Sequence, residues 1–471
     1  MRYHFIGISG AGMSAVAKLL IEQGHTITGS DEGFYPPISD YLTTNNIPCL
    51  TPFKKENIPN DADYIVIGKH AKLIPEENEE VKTAFASGKK VISFPEALYS
   101  LTENRERFVV AGSYGKSTCS ALLAWCFEHN KIDAGYFIGA LPLTPKTNAH
   151  VGTAFPFILE GDEYSSSNWD KTSKFLHYKP EHVLLTALAH DHVNVYPTHA
   201  DYLSPFKELF EQMPQDGILL ACLDDETIKE KISSLTNHKV ITYGVSEEAS
   251  WHAVNIKYGD ITTFDIIHDE KFVATFSTSL LGKHNLQNII GVVAILIETK
   301  QLNAEQLVSA IATFKGIVRR LDKKSENTRV PIYEGFGSSH DKARSAIEAI
   351  KLHFANHKLI IIFEPHTFSW RNRNTIHWYD TVFKEAEKVF VYKPPLHGTT
   401  SHEQLSQDEI LERIQQAGVN VEGFTTPVEG EKEIMKSVNE NTVLLILSSG
   451  GMDGLIPLLV TQMEKDYPLN K

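Results

Sequence analysis

The chain has 471 residues and a formal net charge of −14, with 42% hydrophobic and 22% charged residues. This composition is typical of a soluble protein of roughly two to four domains. The negative charge argues against nucleic acid or an anionic membrane as a partner, because both require a positively charged surface. No basic segment followed by a cleavage site is present near Met1, so we expect a cytoplasmic location.

Residues 1–105 alternate strand and helix patterns. The stretch YHFIGIS is a continuous apolar run that ends in a polar residue, as a buried parallel strand does, and AGMSAVAKLLIEQG has helical spacing. Further strand patterns are TITGSD, YIVIGK and VISF. This alternation predicts a doubly wound, Rossmann-like α/β domain.

The stretch GISGAGMS, from Gly7 to Ser14, follows the first strand and precedes the first helix. Glycines at this position let backbone N–H groups approach a diphosphate, and the helix N-terminus favours its charge. Asp31 ends the second strand, where an acid commonly contacts a ribose hydroxyl. The spacing is G-x-x-G-x-G and not G-x-G-x-x-G, which disfavours a nicotinamide cofactor. A tight turn without a ligand is the alternative.

Residues 106–318 form a second predicted domain. It begins with the strand pattern RFVVAG and a helix at 116–128, and FILEGDE and HVLLTAL follow as strands. The stretches WHAVNIK, TTFDIIH and KFVATFS alternate apolar and polar residues, which predicts a small antiparallel sheet. The helix pattern NLQNIIGVVAILIETK closes the domain.

The loop between that first strand and helix resembles a shortened phosphate-binding loop. Gly115, Lys116 and Ser117 match the end of a Walker A sequence, but the first glycine of that sequence would fall at Val110 and the nearest one is Gly112. Lys116 can reach terminal phosphates, and Ser117 or Thr118 can place a hydroxyl on Mg²⁺. The alternative is a chance Gly-Lys-Ser in a turn.

Polar clusters follow two further strands of this domain, and their members are Glu160, Asp162 and Glu163 after one strand and His190, Asp191 and His192 after the other. The carboxyl ends of parallel strands share one edge of a sheet, so both clusters are expected near the phosphate loop. A carboxylate and an imidazole there could hold Mg²⁺ beside a nucleotide. Taken singly, each acid could equally belong to a solvated loop.

Residues 319–471 form the third predicted domain. Its strand patterns are VPIYEGF, KLIIIF, KVFVY and TVLLILSS, and its helical patterns cover Lys342–Phe354, His377–Ala386 and Ser406–Ala417.

Two polar motifs lie on either side of the start of this domain. His284, Asn285 and Asn288 begin a helix and could contact adenine, or simply cap the helix. Arg319 and Arg320 could clamp a phosphate or carboxylate, or form a surface basic pair.

The order of these motifs resembles the Mur ligase family over nearly the whole chain. In that family the phosphate loop is usually G-x-x-G-K-S/T, which Gly112, Gly115, Lys116 and Ser117 match. The resemblance implies a three-domain α/β architecture with a Rossmann-like N-terminal domain that binds a UDP-sugar (1–105), a central P-loop ATPase domain (106–318) and a Rossmann-like C-terminal domain that binds the amine and closes on ATP (319–471).

The resemblance also implies an activity and a set of site residues. The activity is ATP-dependent ligation of UDP-N-acetylmuramate to a peptide or amino-acid amine through an acyl phosphate, with ATP and Mg²⁺ required, by a monomer or homodimer. The catalytic residues implied are Lys116, Glu160 and His192, and the metal ligands are Ser117, Glu160 and His192. The ATP-binding residues implied are Gly112, Gly115, Lys116, Ser117, Thr118, His284, Asn285, Asn288, Arg319 and Arg320. The UDP-sugar-binding residues implied are Gly7, Gly10, Gly12, Met13, Ser14 and Asp31.

Within the family, several stretches indicate which amine is used. GISGAGMSAVAKLL and FEPHTFS resemble the branch that acts on UDP-N-acetylmuramate, which includes members that add L-alanine. DEYSSSNWDKTSKFLHYKP, FPEAL and LSSGGMDGL resemble members that add the tripeptide L-alanyl-γ-D-glutamyl-meso-diaminopimelate in peptidoglycan recycling. The tripeptide is therefore the expected amine, with L-alanine as the alternative.

Two stretches depart from the family pattern. TALAHDH has Ala187 and Ala189 where the family usually has an asparagine and an acid. YEGFGSSHDK has Gly335, Ser338 and Ser339 in place of an aspartate and two histidines, for which Glu334 or His340 could substitute. These departures motivate an alternative of another class, a non-catalytic protein that binds UDP-muramyl compounds.

Overall fold

A computed structural model describes residues 1–35, 38–190, 195–395 and 404–469. The chain divides into two compact units: the first comprises 1–255, 264–277 and 284–314, and the second comprises 256–263, 278–283 and 315–471. The architecture is the three-domain α/β arrangement predicted from the sequence, with three sheets that are mainly parallel.

The first sheet lies in the N-terminal part of the first unit and all its strand pairs are parallel. Its strands, in the order β3-β2-β1-β4-β5, are β1 (Arg2–Ile6), β2 (Thr26–Ser30), β3 (Cys49–Leu50), β4 (Tyr64–Ile67) and β5 (Lys90–Ile92). The helices are α1 (Ala11–Glu22), α2 (Ile38–Thr44), α3 (Glu79–Ala86) and α4 (Phe94–Ser100), and a 3₁₀ helix covers Lys55–Asn57. The strand order reverses at β1 and β4, and ligands bind at such a switch point in open α/β sheets.

The second sheet has the strand order β15-β14-β13-β12-β11-β10-β6-β9-β7-β8. Its strands are β6 (Glu106–Ala111), β7 (Gly135–Phe137), β8 (Ala149–His150), β9 (Pro156–Glu160), β10 (His182–Leu185), β11 (Leu219–Cys222), β12 (Val240–Gly244), β13 (Trp251–Lys257), β14 (Thr262–His268) and β15 (Lys271–Thr278). Its helices are α5 (Lys116–His129), α6 (His199–Glu211), α7 (Glu226–Leu235), α8 (Lys283–Glu298) and α9 (Ala304–Thr313), and a 3₁₀ helix covers Lys174–His177. β6 lies between β10 and β9 and is parallel to both, which brings the carboxyl ends of these three strands together.

One sequence expectation for this region was wrong. The stretches that alternate apolar and polar residues do form strands β13, β14 and β15, but these strands do not form a separate small sheet. They continue the second sheet beyond β12, and β13 pairs with β12 in parallel through Tyr243 and Gly244. Alternation indicates a strand with one buried face, but it does not identify the strand with which it pairs.

The third sheet lies in the second unit and has the strand order β16-β17-β21-β18-β19-β20. Among the described residues of this sheet, only the edge strand β16 pairs in antiparallel fashion with its neighbour, and the other pairs are parallel. Its strands are β16 (Arg320–Lys323), β17 (Ile332–Gly335), β18 (Lys358–Phe363), β19 (Lys388–Tyr392), β20 (Val421–Phe424) and β21 (Thr442–Leu447). Its helices are α10 (His340–His353), α11 (Phe368–Arg371), α12 (Gln407–Gln416), α13 (Pro427–Met435) and α14 (Leu455–Asp466), with 3₁₀ helices at Arg373–Asp380 and Met452–Gly454.

The core of the second unit has two layers, one on each face of this sheet. Ile361 and Phe363 of β18 pack into one hydrophobic cluster, whereas Ile360 and Ile362 pack into the other. A strand places successive side chains on opposite faces, so a continuous apolar run such as KLIIIF requires cover on both sides. Over the residues described, no helix combines the length and hydropathy needed to span a bilayer.

Candidate active site

A cavity of about 730 Å³ lies in the first unit. The glycine-rich loop lines it with Gly7, Ser9, Gly10, Gly12 and Met13, followed by Asp31 after β2. Its other walls are Gly68 and Lys69 after β4, Lys116 at the start of α5, Glu160 at the end of β9, and Tyr164, Lys174 and Tyr178 from the segment after β9. The cavity therefore joins the two loops that the sequence singled out as phosphate-binding.

The glycine-rich loop is held against the ends of β1 and β2. The N–H groups of Gly7 and Ile8 donate to the carbonyl oxygen of Ser30, at 2.9 and 3.1 Å. Gly7 has φ +86°, and a Cβ there would lie 2.7 Å from a methyl group of Leu73, so both the backbone and the packing require glycine. This turn brings the loop backbone to the cavity wall.

Asp31 supports the same loop from β2. Its carboxylate accepts hydrogen bonds from the backbone N–H groups of Ser9 and Glu32, each at 2.8 Å. Five of the six predicted sugar-nucleotide residues line the cavity, including Asp31. The sixth, Ser14, is buried in α1 and donates to the carbonyl oxygen of Ala11 at 3.1 Å.

The predicted phosphate loop, residues 112–115, turns sharply between β6 and α5. Gly112 has φ +132°, and a Cβ there would lie 2.5 Å from the hydroxyl oxygen of Thr186. Gly115 has φ +82°, and a Cβ there would lie 2.6 Å from Oδ1 of Asn288. Thr186 donates from its hydroxyl to the carbonyl oxygens of Ala111, at 3.1 Å, and Tyr114. Both glycines are thus required by backbone conformation and by close packing.

The alanine that departs from the family pattern contacts this loop through its backbone. The N–H of Ser113 donates to the carbonyl oxygen of Ala187 at 3.0 Å, immediately after Thr186. His192 and its neighbour Asp191 lie outside the described residues, so their predicted role stays a prediction.

Lys116 and Ser117 each contact an acid of the strand end after β9. The ammonium of Lys116 lies 2.9 Å from Oε2 of Glu163 and also donates to the carbonyl oxygen of Gly112. The hydroxyl of Ser117 donates to Oε1 of Glu160 at 2.8 Å, and Oε2 of Glu160 accepts from the Gly139 N–H at 2.7 Å. The predicted lysine, hydroxyl and carboxylate are therefore adjacent.

The hydroxyl of Ser117 and the carboxylate of Glu160 are hard oxygen donors of the kind that Mg²⁺ prefers. Mg²⁺ commonly takes one or two protein oxygens and fills its other positions with phosphates and water, so this pair fits it. Within the described residues, no three or more His, Cys, Asp or Glu side chains cluster in a way that could hold a metal alone.

The start of α8 lies against the phosphate loop. Asn288 is buried, donates from its amide to Oδ1 of Asn285 at 3.2 Å, and accepts from the thiol of Cys119 at 3.3 Å. His284 is exposed at the first turn, and Thr118 is buried in the first turn of α5. The structure thus brings Asn288 to Gly115, while contact of His284, Asn285 and Asn288 with adenine stays a prediction.

Asp162 and Lys174 form a second ion pair at this edge, at 2.5 Å. Burial opposes ionisation of Asp162, but Lys174, the Tyr164 N–H and the Lys116 charge together outweigh it, and the pKa of the carboxyl lies below its usual value. Asp162 therefore keeps a negative charge that neutralises Lys174 at the cavity wall.

In the second unit, Arg319 binds the loop that follows β21. It has φ +63°, and its guanidinium donates to the carbonyl oxygens of Ser448, at 2.9 Å, and Gly450, at 2.6 Å. Its Nε lies 3.1 Å from Oε1 of Glu334, and Oε2 of the same carboxylate pairs with Lys324 at 2.8 Å. Arg320 is exposed on β16.

The altered motif around β17 is built into this unit. Glu334 is buried in the ion pairs just described, and Gly335 ends the strand. Ser339 precedes α10, and His340 contacts Asp341 at 3.1 Å and Thr381 at 3.0 Å through its two ring nitrogens. The roles of Arg319, Arg320, Glu334 and His340 toward a ligand remain predictions.

The sequence reasoning missed two lysines of the cavity. Lys69 follows Gly68 at the end of β4, and Lys174 lies in the 3₁₀ helix after the long loop that begins at Asp162. The rule that ligands bind at the carboxyl ends of parallel strands, applied to YIVIGK, would have found Lys69. Lys174 lies far from any strand end in the sequence, so no local signal indicates it.

Comparison with known proteins gives two family matches along the chain. A model described as Mur ligase family, catalytic domain, matches residues 2–106, and one described as Mur ligase middle domain matches residues 110–296.

Individual relatives and solved structures are also similar. UDP-N-acetylmuramate–L-alanine ligase of Arthrobacter sp. (strain FB24) is 30% identical over 373 residues, covering 78% of this chain and 76% of that protein. The crystal structure of UDP-N-acetylmuramate–alanine ligase from Thermotoga maritima has a TM-score of 0.76 and 22% identity, covering 99% of both chains. The crystal structure of UDP-N-acetylmuramate:L-alanyl-γ-D-glutamyl-meso-diaminopimelate ligase from Neisseria meningitides has a TM-score of 0.61 and 26% identity, covering 68% of this chain and 99% of that one.

Proposed function

The chain belongs to the Mur ligase family, whose members are ATP-dependent amide-bond ligases, and on that premise we propose that it joins UDP-N-acetylmuramate to L-alanine. One observation carries the proposal: the glycine-rich loop and the phosphate-loop lysine, Lys116, line the same cavity. A sugar nucleotide on the first loop and a terminal phosphate at the second would then lie close enough to react.

The proposed reaction has two steps. An oxygen of the lactyl carboxylate attacks the γ-phosphorus of ATP, ADP leaves, and an acyl phosphate forms. The amine nitrogen then attacks the acyl carbon, phosphate leaves, the nitrogen loses a proton, and an amide remains. Both steps need charge neutralisation and positioning more than covalent help from the protein.

Lys116 supplies one positive charge to the phosphates in this scheme. Ser117 and Glu160 would hold Mg²⁺, with His192 as a further proposed ligand, and the ion would supply additional neutralisation of phosphate charge. Thr118, His284, Asn285 and Asn288 would complete the ATP site from the first turns of α5 and α8. Arg319 and Arg320 are proposed to contact the nucleotide from the C-terminal domain, 319–471, which would also bind the amine.

The identity of the amine has two candidates. L-Alanine is favoured because the relative from Arthrobacter and the solved structure from Thermotoga maritima carry that activity in their names. The tripeptide L-alanyl-γ-D-glutamyl-meso-diaminopimelate is the second candidate, supported by the stretch Asp162–Pro180 and by the similarity to the structure from Neisseria meningitides. That stretch lines the sugar-nucleotide cavity through Tyr164, Lys174 and Tyr178.

A phosphate-release assay tests the proposal. The protein is incubated with ATP, Mg²⁺ and UDP-N-acetylmuramate, each amine is added in turn, and the product is weighed by mass spectrometry. We expect phosphate release that depends on L-alanine, a product heavier by one alanine residue, and a loss of about 10²- to 10³-fold in Lys116→Met. A product formed only with the tripeptide would favour the second candidate.

The same assay addresses the non-catalytic alternative. Tight binding of UDP-N-acetylmuramate without phosphate release for any amine would overturn the ligase proposal. Chelation of divalent cations with EDTA should abolish turnover, and added Mg²⁺ should restore it. Activity that survives EDTA would contradict the proposed role of Ser117 and Glu160.

A further inference from the structure

Three lysines line the cavity, and they differ in how their charge is balanced. Lys174 pairs with Asp162 at 2.5 Å, and Lys116 pairs with the next residue, Glu163, at 2.9 Å. Lys69 donates to the hydroxyl of Ser165 at 2.5 Å. Among the described residues, no carboxylate oxygen lies within 4.0 Å of the Lys69 ammonium, so Lys69 has no direct ion-pair partner, and Asp162 acts on it only from a longer distance.

The surroundings of Lys69 make that charge costly. Burial lowers the pKa of Lys69 below its usual value, the nearby charges of Lys174 and Lys171 lower it further, and the Asp162 charge offsets only part of this. The ring of Tyr164 lies 5.7 Å from the ammonium and offers only a weak attraction. An anionic ligand that contacts Lys69 therefore stabilises this ammonium more than it would stabilise an ammonium that already has a carboxylate partner.

The position of Lys69 places that cation beside the glycine-rich loop. It follows Gly68 at the carboxyl end of β4, and the Gly68 N–H donates to the carbonyl oxygen of Ile6 at 2.9 Å, one residue before Gly7. Its partner Ser165 is two residues from Glu163, which holds Lys116. Lys69 therefore lines the same cavity as the glycine-rich loop, which would receive the sugar nucleotide, and Lys116, which would receive the terminal phosphate.

We propose that Lys69 binds an anionic group of the sugar nucleotide and so determines the affinity for that substrate. The group is the lactyl carboxylate or a phosphate of the diphosphate, which share the same chemistry toward an ammonium. The inference rests on the proposed function, because that function supplies the sugar nucleotide. It adds a substrate-binding residue outside both glycine-containing loops.

The test is isothermal titration of the sugar nucleotides into the full chain without ATP. Lys69→Met should bind UDP-N-acetylmuramate about tenfold or more weakly than the wild type, the effect of losing one hydrogen bond to a charged group. UDP-N-acetylglucosamine has the same diphosphate and no lactyl carboxylate. A loss confined to UDP-N-acetylmuramate assigns the carboxylate to Lys69, and an equal loss for both ligands assigns the diphosphate.

Two further variants distinguish the loss of a ligand contact from a general disturbance of the loop. Lys69→Arg keeps the charge and should retain affinity within a few-fold of the wild type. Lys72→Met removes an exposed lysine of the same loop, whose partner is Glu32 at 3.0 Å, and should bind like the wild type. Wild-type affinity of Lys69→Met for both ligands would overturn the inference, and so would a comparable loss in Lys72→Met.

The outcome is separable from that of the ligase assay. A wild-type chain that binds UDP-N-acetylmuramate through Lys69 but releases no phosphate would support this inference and overturn the proposed function. A wild-type chain that binds neither sugar nucleotide would overturn both.

Discussion

The ammonium of Lys116 lies 2.9 Å from a carboxylate oxygen of Glu163, a side chain that is fully buried. A terminal phosphate must compete with this carboxylate for the lysine. We therefore expect Glu163→Gln to bind ATP about threefold to tenfold more tightly, because it replaces the competing carboxylate with a neutral amide, which weakens the hydrogen bond to Lys116 by about 1 kcal/mol. Turnover should fall at the same time, because the weaker contact at position 163 fixes the Lys116 ammonium less well. Titration of ATP with Mg²⁺ measures the first effect and phosphate release the second.

The matched control is Asp162→Asn. It removes the neighbouring acid, which forms its ion pair with Lys174 and acts on Lys116 only from a longer distance. Its ATP affinity should stay within about twofold of the wild type, in line with the small effect expected of a change away from the contact. Weaker ATP binding by Glu163→Gln would show that Glu163 contributes to nucleotide binding instead of competing with it.

Gly115 gives a second prediction, because backbone and packing effects can be separated there. Gly115→Ala places a Cβ 2.6 Å from Oδ1 of Asn288 at φ +82°. Gly24 has the same φ with nothing within 4 Å of its Cβ. Both alanine variants should lose about 1 kcal/mol of stability from the positive φ. Only Gly115→Ala should weaken ATP binding, by more than about tenfold, because the loop must move away from Asn288. Equal ATP affinities in the two variants would contradict the packing argument.

Much of this site follows from sequence rules because its parts are local. The apolar run RFVVAG and the glycines after it predicted β6 and the turn that follows it, and the helix expected at 116–128 is Lys116–His129. The carboxyl ends of β6 and β9 meet because parallel strands share an edge, which brings Ser117 to Glu160 as the motifs indicated. Each of these inferences requires only that a strand, the turn after it and the parallel direction of its neighbours be predicted.

The parts that were missed depend on tertiary packing. The charge balance of Lys69 depends on where Asp162 and Glu163 point, and no spacing in the sequence records that. The helical pattern at His377–Ala386 is a 3₁₀ helix at Arg373–Asp380, where Asn372 accepts from the Asn374 N–H and starts the tighter turn earlier. Periodicity indicates a buried face, but it does not distinguish the two kinds of helix at a short length.

A buried polar network beneath the glycine-rich loop gives a third prediction. The carboxylate of Glu80 is fully buried and contacts His4 at 2.7 Å, Ser30 at 2.6 Å and Asn57 at 2.8 Å. Glu80→Gln replaces one acceptor oxygen with an amide donor, so buried groups lose partners at a cost of about 3 kcal/mol. We expect amide protection of β1 and β2 in hydrogen exchange to fall by about two orders of magnitude.

The adjacent Glu79 is exposed on the same helix and provides the control. Glu79→Gln should change protection by less than about threefold, as most surface substitutions do. The hydroxyl of Ser30 donates to Glu80, and its carbonyl oxygen accepts from the N–H groups of Gly7 and Ile8 in the glycine-rich loop. Glu80→Gln should therefore weaken binding of UDP-N-acetylmuramate as well. Unchanged protection in Glu80→Gln would mean that the network relaxes without loss.

His353 gives the last prediction, a pH dependence within the second unit. Its Nε2 accepts from the Gly282 N–H at 2.8 Å, and its Nδ1 therefore carries the proton that is donated to the Gly259 carbonyl oxygen at 2.8 Å. Burial lowers the pKa of His353 below its usual value of 6.5, and the Gly259 carbonyl and the Asp260 charge offset only part of this. Protonation would place a hydrogen on Nε2 and break the bond to Gly282.

The lowered pKa of His353 determines in which direction stability changes with pH. A histidine that titrates lower in the folded state takes up a proton when its region opens, so its stabilising effect is present above about pH 6.5 and is lost as the pH falls toward the folded pKa. Protection of the Gly282 amide, corrected for the intrinsic exchange rate, should fall by up to about tenfold per pH unit in that range. His353→Gln can still donate and accept but does not titrate, so its protection should not change with pH. His357→Gln, four residues away, should keep the wild-type dependence, and a flat profile in the wild type would rule out His353 as a titrating contact.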